Sequence, residues 1–238
     1  IRRARVFPYQ LLAAYAMVHQ TVPAEIQRAL EDAMEIALEN VPALKGRVVV
    51  CPDVSGSMQS PVTGVRRGAT TAVRCIDVAA LVAAAVLRRN QDAEVLPFES
   101  DVVNMRLDPR DSVMTNAAAL ARIGGGGTNV SAPLLVLNLR RAPVDLVIVV
   151  SDNESWVDAR GGRGTATMRA WNRLKSRNPS ARLVCIDIQP NRTTQACERE
   201  DVLNVGGFSD QVFEVIAEFV RGRLTSDHWV GAIEKTEL

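Results

Sequence analysis

Short runs rich in β-branched residues alternate along this chain with longer stretches whose apolar positions recur every three or four residues. The two strongest runs, 47–51 and 144–150, are mostly Val and other apolar residues, the pattern of strands buried on both faces of a sheet. Further strands are expected at 93–98, 102–107, 182–188 and 201–205, the first two close enough to form a hairpin around Glu99-Ser100-Asp101. The spacing predicts helices over 76–89, 111–123, 133–140, 165–177 and 211–224. Strands alternating with helices, with apolar central strands, predict an α/β fold with an open, doubly wound, mostly parallel sheet flanked by helices.

Residues 1–45 read differently. Ile26, Leu30, Met34, Leu38 and Val41 form an amphipathic stripe from Pro23 to Val41. Pro23 and Glu25 suit the first turn of a helix, and Pro42 stops it. A second helix is expected over 7–17, with Pro8 near its start. Such helices need a surface to lie against, supplied either by the domain that follows or by a region upstream. The opening Ile1-Arg2-Arg3, without Met, leads us to expect a piece of a longer protein.

Composition narrows the class. In 238 residues, 47% are apolar and 23% charged, which excludes wholesale disorder, and the net charge of +1 excludes a polycation. The most apolar run, 76–87, is broken by Asp77 and is too short to span a bilayer, so no membrane partner is expected. Cys51, Cys75, Cys185 and Cys197 form no CxxC pair, and His19 and His228 stand in no motif; a reduced, cytoplasmic protein is the expectation. Local positive charge at Arg66-Arg67, Arg88-Arg89, Arg140-Arg141 and Arg160 to Arg163 could meet phosphates, with Arg66 and Arg67 as candidate RNA contacts. At 4% aromatic residues, a stacking platform for single-stranded bases is not expected.

Open parallel sheets bind ligands beyond the carboxyl ends of their strands. The first strong strand runs into Asp53-Val54-Ser55-Gly56-Ser57 and the second into Ser151-Asp152-Asn153, while Thr128 follows the run Gly124 to Gly127. Asp53, Ser55, Ser57, Thr128 and Asp152 can therefore converge on one edge. Oxygen-only donors suit a small, hard divalent cation that keeps some of its waters, Mg²⁺ first and Mn²⁺ next. Two carboxylates neutralise such an ion and hydroxyls add no charge, so a loaded site still attracts an anionic oxygen from a partner's acidic residue or a phosphate. The glycines give their loop the φ freedom to bring Thr128 near. A plainer role for Asp53 and Ser55 is to cap the next helix. Trp156 and Glu154 are candidate partner contacts on the rim, although Glu154 also reads as a loop charge.

Catalysis is not expected. An aspartyl-phosphate hydrolase wants a second carboxylate two residues after the first, where this chain has Ser55, and the glycine run lacks the Gly-Lys-Ser/Thr ending of a phosphate-binding loop.

Asp53-x-Ser55-x-Ser57, Gly127-Thr128 and Asp152 resemble the five-residue metal-ion-dependent adhesion site of von Willebrand factor A domains, and all five positions match. The resemblance covers 46–223. Asp53 to Met58, Gly126-Gly127-Thr128-Asn129, Val150 to Ser155 and Gly206-Gly207-Phe208 resemble the Ro (TROVE-module) ribonucleoproteins within that superfamily. Val22-Pro23-Ala24 and Ala29 to Ala33 resemble the end of that family's helical-repeat ring. Asn129 departs from the Asp common in the family, which removes a nearby charge but no metal ligand. The resemblance implies terminal repeat helices over 1–45, an A domain over 46–225 and a tail over 226–238. It further implies a parent ribonucleoprotein that binds noncoding Y RNA and misfolded RNA ends through its ring, while this portion binds a divalent cation and contacts a partner. The alternatives are the A domain of another adhesion or chelatase-type protein and, third, a Mg²⁺-dependent phosphatase-like hydrolase.

Overall fold

The computed structural model describes residues 6–17, 22–64, 72–90, 92–152, 166–190, 194–209 and 211–224. Five strands, β1 (Val48–Pro52), β2 (Glu94–Val95), β3 (Leu146–Ser151), β4 (Arg182–Asp187) and β5 (Val202–Gly206), form one sheet in the order β2-β1-β3-β4-β5, and all its pairs are parallel. The chain leaves β1 on one side for β2 and then crosses to β3 on the other. Strands β1 and β3 therefore lie side by side where the winding reverses, in the register Val50↔Ile148 and Pro52↔Val150. Such a reversal opens a crevice at the carboxyl ends of the two strands.

Among the described residues there are seven helices: α1 (Pro8–Met17), α2 (Ala24–Ala37), α3 (Cys75–Arg89), α4 (Val113–Ala121), α5 (Ala132–Leu139), α6 (Ala166–Lys175) and α7 (Val212–Val220). Because side chains alternate across a strand, the apolar runs feed two cores at once. Val48, Val50, Leu146, Ile148, Val150, Val184 and Ile186 pack against α3, α4 and α7. Val49, Cys51, Val147, Val149, Leu183 and Cys185 pack against Leu134 and Leu137 of α5 and Met168, Trp171 and Leu174 of α6. Helix α3 is buried from Cys75 to Leu87 except at Asp77, as a helix apolar on every side must be. Asp77 holds its start by accepting the Arg74 backbone N–H at 2.9 Å and the Arg74 guanidinium at 2.6 Å.

The surface for the N-terminal helices comes from the domain that follows them. Leu12, Met34, Leu38 and Val41 join the core of α3 and α4. Glu35 accepts the Val113 N–H at 2.7 Å and pairs with Arg88 at 3.4 Å.

The hairpin expected from 93–98 and 102–107 does not form. Strand β2 is two residues long and parallel to β1, and 102–107 meets it through a single bridge, Phe98↔Val102, and one bond from the Val103 N–H to the Pro97 carbonyl. The reason is local. Leu96 and Phe98 direct their N–H groups to β1, so the outer edge depends on alternate residues, and at 97 that residue is a proline with no N–H to give.

Candidate functional site

Asp53 follows β1 directly, and its backbone N–H bonds to the Val150 carbonyl at 2.8 Å, tying the end of β1 to β3. Its side chain is fully buried. Oδ1 accepts the Ser55 N–H at 2.9 Å and Oδ2 accepts the Ser151 hydroxyl at 2.6 Å. The Ser55 hydroxyl in turn accepts from Thr128 Oγ1 at 2.9 Å and lies 3.2 Å from Ser57 Oγ. Asp53, Ser55, Ser57 and Thr128 thus form one hydrogen-bonded chain, although Thr128 stands 73 residues beyond Ser55. Helix capping is not what these residues do. The turn after Ser55 is a single 3₁₀ turn, Gly56–Gln59, and the Ser55 side chain makes no capping bond to it.

Asp152 follows β3 and is 3% exposed. Its negative charge reaches both Asp53 and the thiol of Cys75 at the start of α3. Burial pushes the Asp53 carboxyl up to about 6; hydrogen bonds from Ser151 and Ser55 pull it back, and the charge of Asp152 raises it again. Burial and the same two carboxylates push the Cys75 thiol up to about 12. Among the described residues Asp53 forms no ion pair. Nor do the described residues include a group of three or more His, Cys, Asp or Glu side chains able to hold a metal. What the edge offers a cation is two carboxylates and three hydroxyls.

The glycine loop reaches the site in a way the sequence reading captured only in part. Gly124 and Gly125 take positive φ, 156° and 128°, but Gly126 and Gly127 do not. Gly126 leaves room for Glu99, since a Cβ there would displace the Glu99 carboxylate from where it stands. That carboxylate accepts the Gly126 N–H at 2.9 Å, while the Gly126 carbonyl accepts the Gly56 N–H at 3.0 Å. Asn129 organises the same loop: Oδ1 accepts the Ser131 hydroxyl at 2.7 Å, and Nδ2 donates to the Ser100 carbonyl at 3.1 Å.

Two further buried polar residues lie along the same strand ends. Ser151 was noted only as part of a run, yet the parallel register Cys51↔Val149 sets it opposite Asp53 one alternation further on. Asp187 ends β4 opposite Ser151, is 3% exposed, and is pushed up to about 7 by burial, against a hydrogen bond from Gln195 Nε2 that lowers it. A carboxylate at the last position of an apolar strand was the available signal. Trp156, Glu154, Arg66 and Arg67 lie outside the described residues, as do Arg160 to Arg163, His19 and His228. Of the other basic pairs, Arg88 is engaged by Glu35 and Arg140 by Glu94, the latter at 2.6 Å. Cys51, Cys75 and Cys185 are buried free thiols and Cys197 an exposed one.

An open parallel sheet, helices on both faces and an oxygen-rich cluster at the reversal of its winding define a domain of the von Willebrand factor A type. Residues 47–220 match the model of the Ro60 vWA domain, and the chain belongs to that family. It is 28% identical over 237 residues to the RNA-binding protein RO60 of Deinococcus radiodurans, a match covering 94% of this chain and 43% of that one. The crystal structure of the Deinococcus radiodurans RO (RSR) protein shares the fold, with a TM-score of 0.73 and 24% identity over 92% of this chain and 45% of that one. The chain therefore spans less than half the length of these relatives.

Proposed function

We propose that this A domain binds a divalent cation, Mg²⁺ or Mn²⁺, at the carboxyl edge of β1 and β3, and that it serves within a Ro-type RNA-binding protein. One observation carries the cation reading: a buried hydrogen-bonded chain runs from Asp53 through Ser55 to Thr128, beside Ser57 and Asp152, with no ion pair on Asp53 among the described residues. A carboxylate buried without a cation is costly, and an oxygen-only donor set fits a hard divalent ion. Ser55 and Ser57 would hold it through their hydroxyls, Thr128 directly or through water, and Asp53 and Asp152 directly or through coordinated waters. The ion would supply the missing positive charge and a position for an anionic oxygen. An acidic group of a protein partner filling that position would favour one arrangement of the loops, coupling partner binding to conformation.

The RNA reading rests on the family and on the relative named RNA-binding protein RO60. Noncoding Y RNA is then a partner of the whole cytoplasmic protein through its ring, and binding rather than catalysis is the activity of this portion. No helix among the described residues is long and apolar enough to cross a membrane.

Calorimetric titration of Mg²⁺ and Mn²⁺ into this chain and into Asp53→Ala tests the cation site. Uptake by the first and its loss in the second is the expected result, and equal uptake by both rejects the assigned ligands. Filter binding is expected to give weak, salt-sensitive RNA affinity for this chain alone; tight, sequence-selective binding overturns that division of labour.

A further inference from the structure

We propose that Glu99 is a positioning residue for the candidate cation site. Its carboxylate clamps the glycine loop and so fixes where Thr128 stands against Ser55. The link to a cation rests on the function proposed above, whereas the clamp rests on geometry alone.

Thr128 is delivered by a loop whose first two glycines occupy positive φ, a backbone with wide freedom of its own. Something outside the loop must hold it, and bonds to the 99–101 turn do so, three of them from backbone N–H groups of the loop. Gly126 N–H donates to Glu99 Oε2 at 2.9 Å, Gly127 N–H to Ser100 Oγ at 3.1 Å, and Asn129 N–H to the Glu99 carbonyl at 2.8 Å. The turn is itself anchored in the strand end that carries Asp53. Phe98 is fully buried, its N–H donates to the Pro52 carbonyl at 3.0 Å, and its carbonyl accepts the Val54 N–H at 2.8 Å. A closed circuit results. From the end of β1 it passes through Phe98 to Glu99, across to Gly126, and back through the Gly126 carbonyl to the Gly56 N–H, between Ser55 and Ser57.

The Glu99 bond is the strong one in this circuit, because an ionised acceptor roughly doubles the strength of a neutral hydrogen bond. It is also matched sterically. The carboxylate fills the space that a side chain at 126 would need, so the glycine at 126 and the glutamate at 99 fit as a pair. Glu99 makes no bond to Asp53, Ser55, Ser57 or Thr128 among the described residues; its effect on them passes through Gly126.

The test combines amide hydrogen exchange of the metal-free chain at 126–128 with Mn²⁺ titration, on the wild type, Glu99→Ala, Glu99→Gln, Gly126→Ala and the Glu99→Ala/Gly126→Ala pair. Glu99→Ala is expected to speed exchange about tenfold, the effect of one charge-assisted bond, while Glu99→Gln keeps a neutral acceptor and should speed it by about threefold. Gly126→Ala should also loosen the loop, and the double variant should be less impaired than the two effects multiplied, since the collision partner is gone. Mn²⁺ affinity should fall about tenfold in Glu99→Ala and by less in Glu99→Gln. Unchanged exchange in Glu99→Ala, or multiplicative effects in the double variant, overturns the clamp. Equal Mn²⁺ affinity of wild type and Glu99→Ala overturns its connection to the site. A Glu99→Gln variant as impaired as Glu99→Ala shows charge at work rather than positioning. A wild-type chain that takes up no Mn²⁺ rejects the cation reading, and the exchange data then decide the clamp alone.

Discussion

Strands β1, β3 and β4 change chemistry within two residues. Cys51, Val149 and Cys185 lie side by side on the face covered by α5 and α6, and one alternation further on the same face carries Asp53, Ser151 and Asp187. Burial is the same in both rows, since none of the six is more than 3% exposed. Energetics are opposite. The apolar row gains by leaving water, whereas a carboxylate taken out of water loses hydration that two or three hydrogen bonds replace only in part. Asp53 and Asp187 show this loss directly, both being pushed up towards neutral pH by burial. The middle of the sheet is built to hold the fold together, and its end holds buried carboxylates, of which Asp53 forms no ion pair among the described residues.

Substitutions that cross this boundary separate the two roles. The largest effect is expected in the middle. Ile148→Ala, at a fully buried position, should lower unfolding free energy by about 2–5 kcal/mol in denaturant titration, with Mn²⁺ uptake per folded molecule unchanged. Lost uptake in a folded Ile148→Ala protein would erase the distinction.

Next comes Asp187. Its folded value of about 7 lies above the ordinary 3.8, so the folded state binds the proton more tightly than the unfolded chain. The stability this confers is full below about pH 4 and is lost as pH rises through about 7. Asp187→Asn should flatten that decline, a difference on the order of 4 kcal/mol across the window in unfolding curves recorded at several pH values. An unaltered slope would mean that Asp187 is not the titrating group.

A smaller effect is expected at Ser151, whose hydroxyl supports Asp53 at 2.6 Å. Ser151→Ala should cost about 1–3 kcal/mol at neutral pH, where Asp53 is ionised and needs its donor, and less at pH 4, where it is protonated. Equal costs at both pH values would show that the bond does not serve the charge.

The difference between the two rows also explains what could be read from the sequence. The apolar row announces itself: Val48 to Val50 and Leu146 to Val150 fix two central strands, and their parallel pairing follows from the helices between them. Asp53, Ser55, Ser57, Thr128 and Asp152 were legible because polar residues stand abruptly at the ends of those strands or behind four glycines. Position alone did not reveal Glu99. Its role depends on the approach of two loops far apart in sequence, and a carboxylate between Phe98 and Ser100 carries no local signature. Alternation alone predicts the strand over 102–107, but Pro97 leaves the outer edge of the stretch after β2 without a donor. Within the glycine run, Gly124 and Gly125 use the φ freedom the sequence predicts, whereas Gly126 leaves room for the Glu99 carboxylate.

At issue is whether side chains brought from separate stretches of the chain act on one ion, and Thr128 is the decisive residue because it comes from a distant loop and bonds directly to Ser55. Electron paramagnetic resonance of Mn²⁺ titrated into the wild type and Thr128→Ala measures this most directly. We expect the free-ion signal to be quenched by the wild type, and the affinity of Thr128→Ala to be at least about tenfold lower with its unfolding curve nearly unchanged. Equal quenching by the two proteins would contradict a shared site.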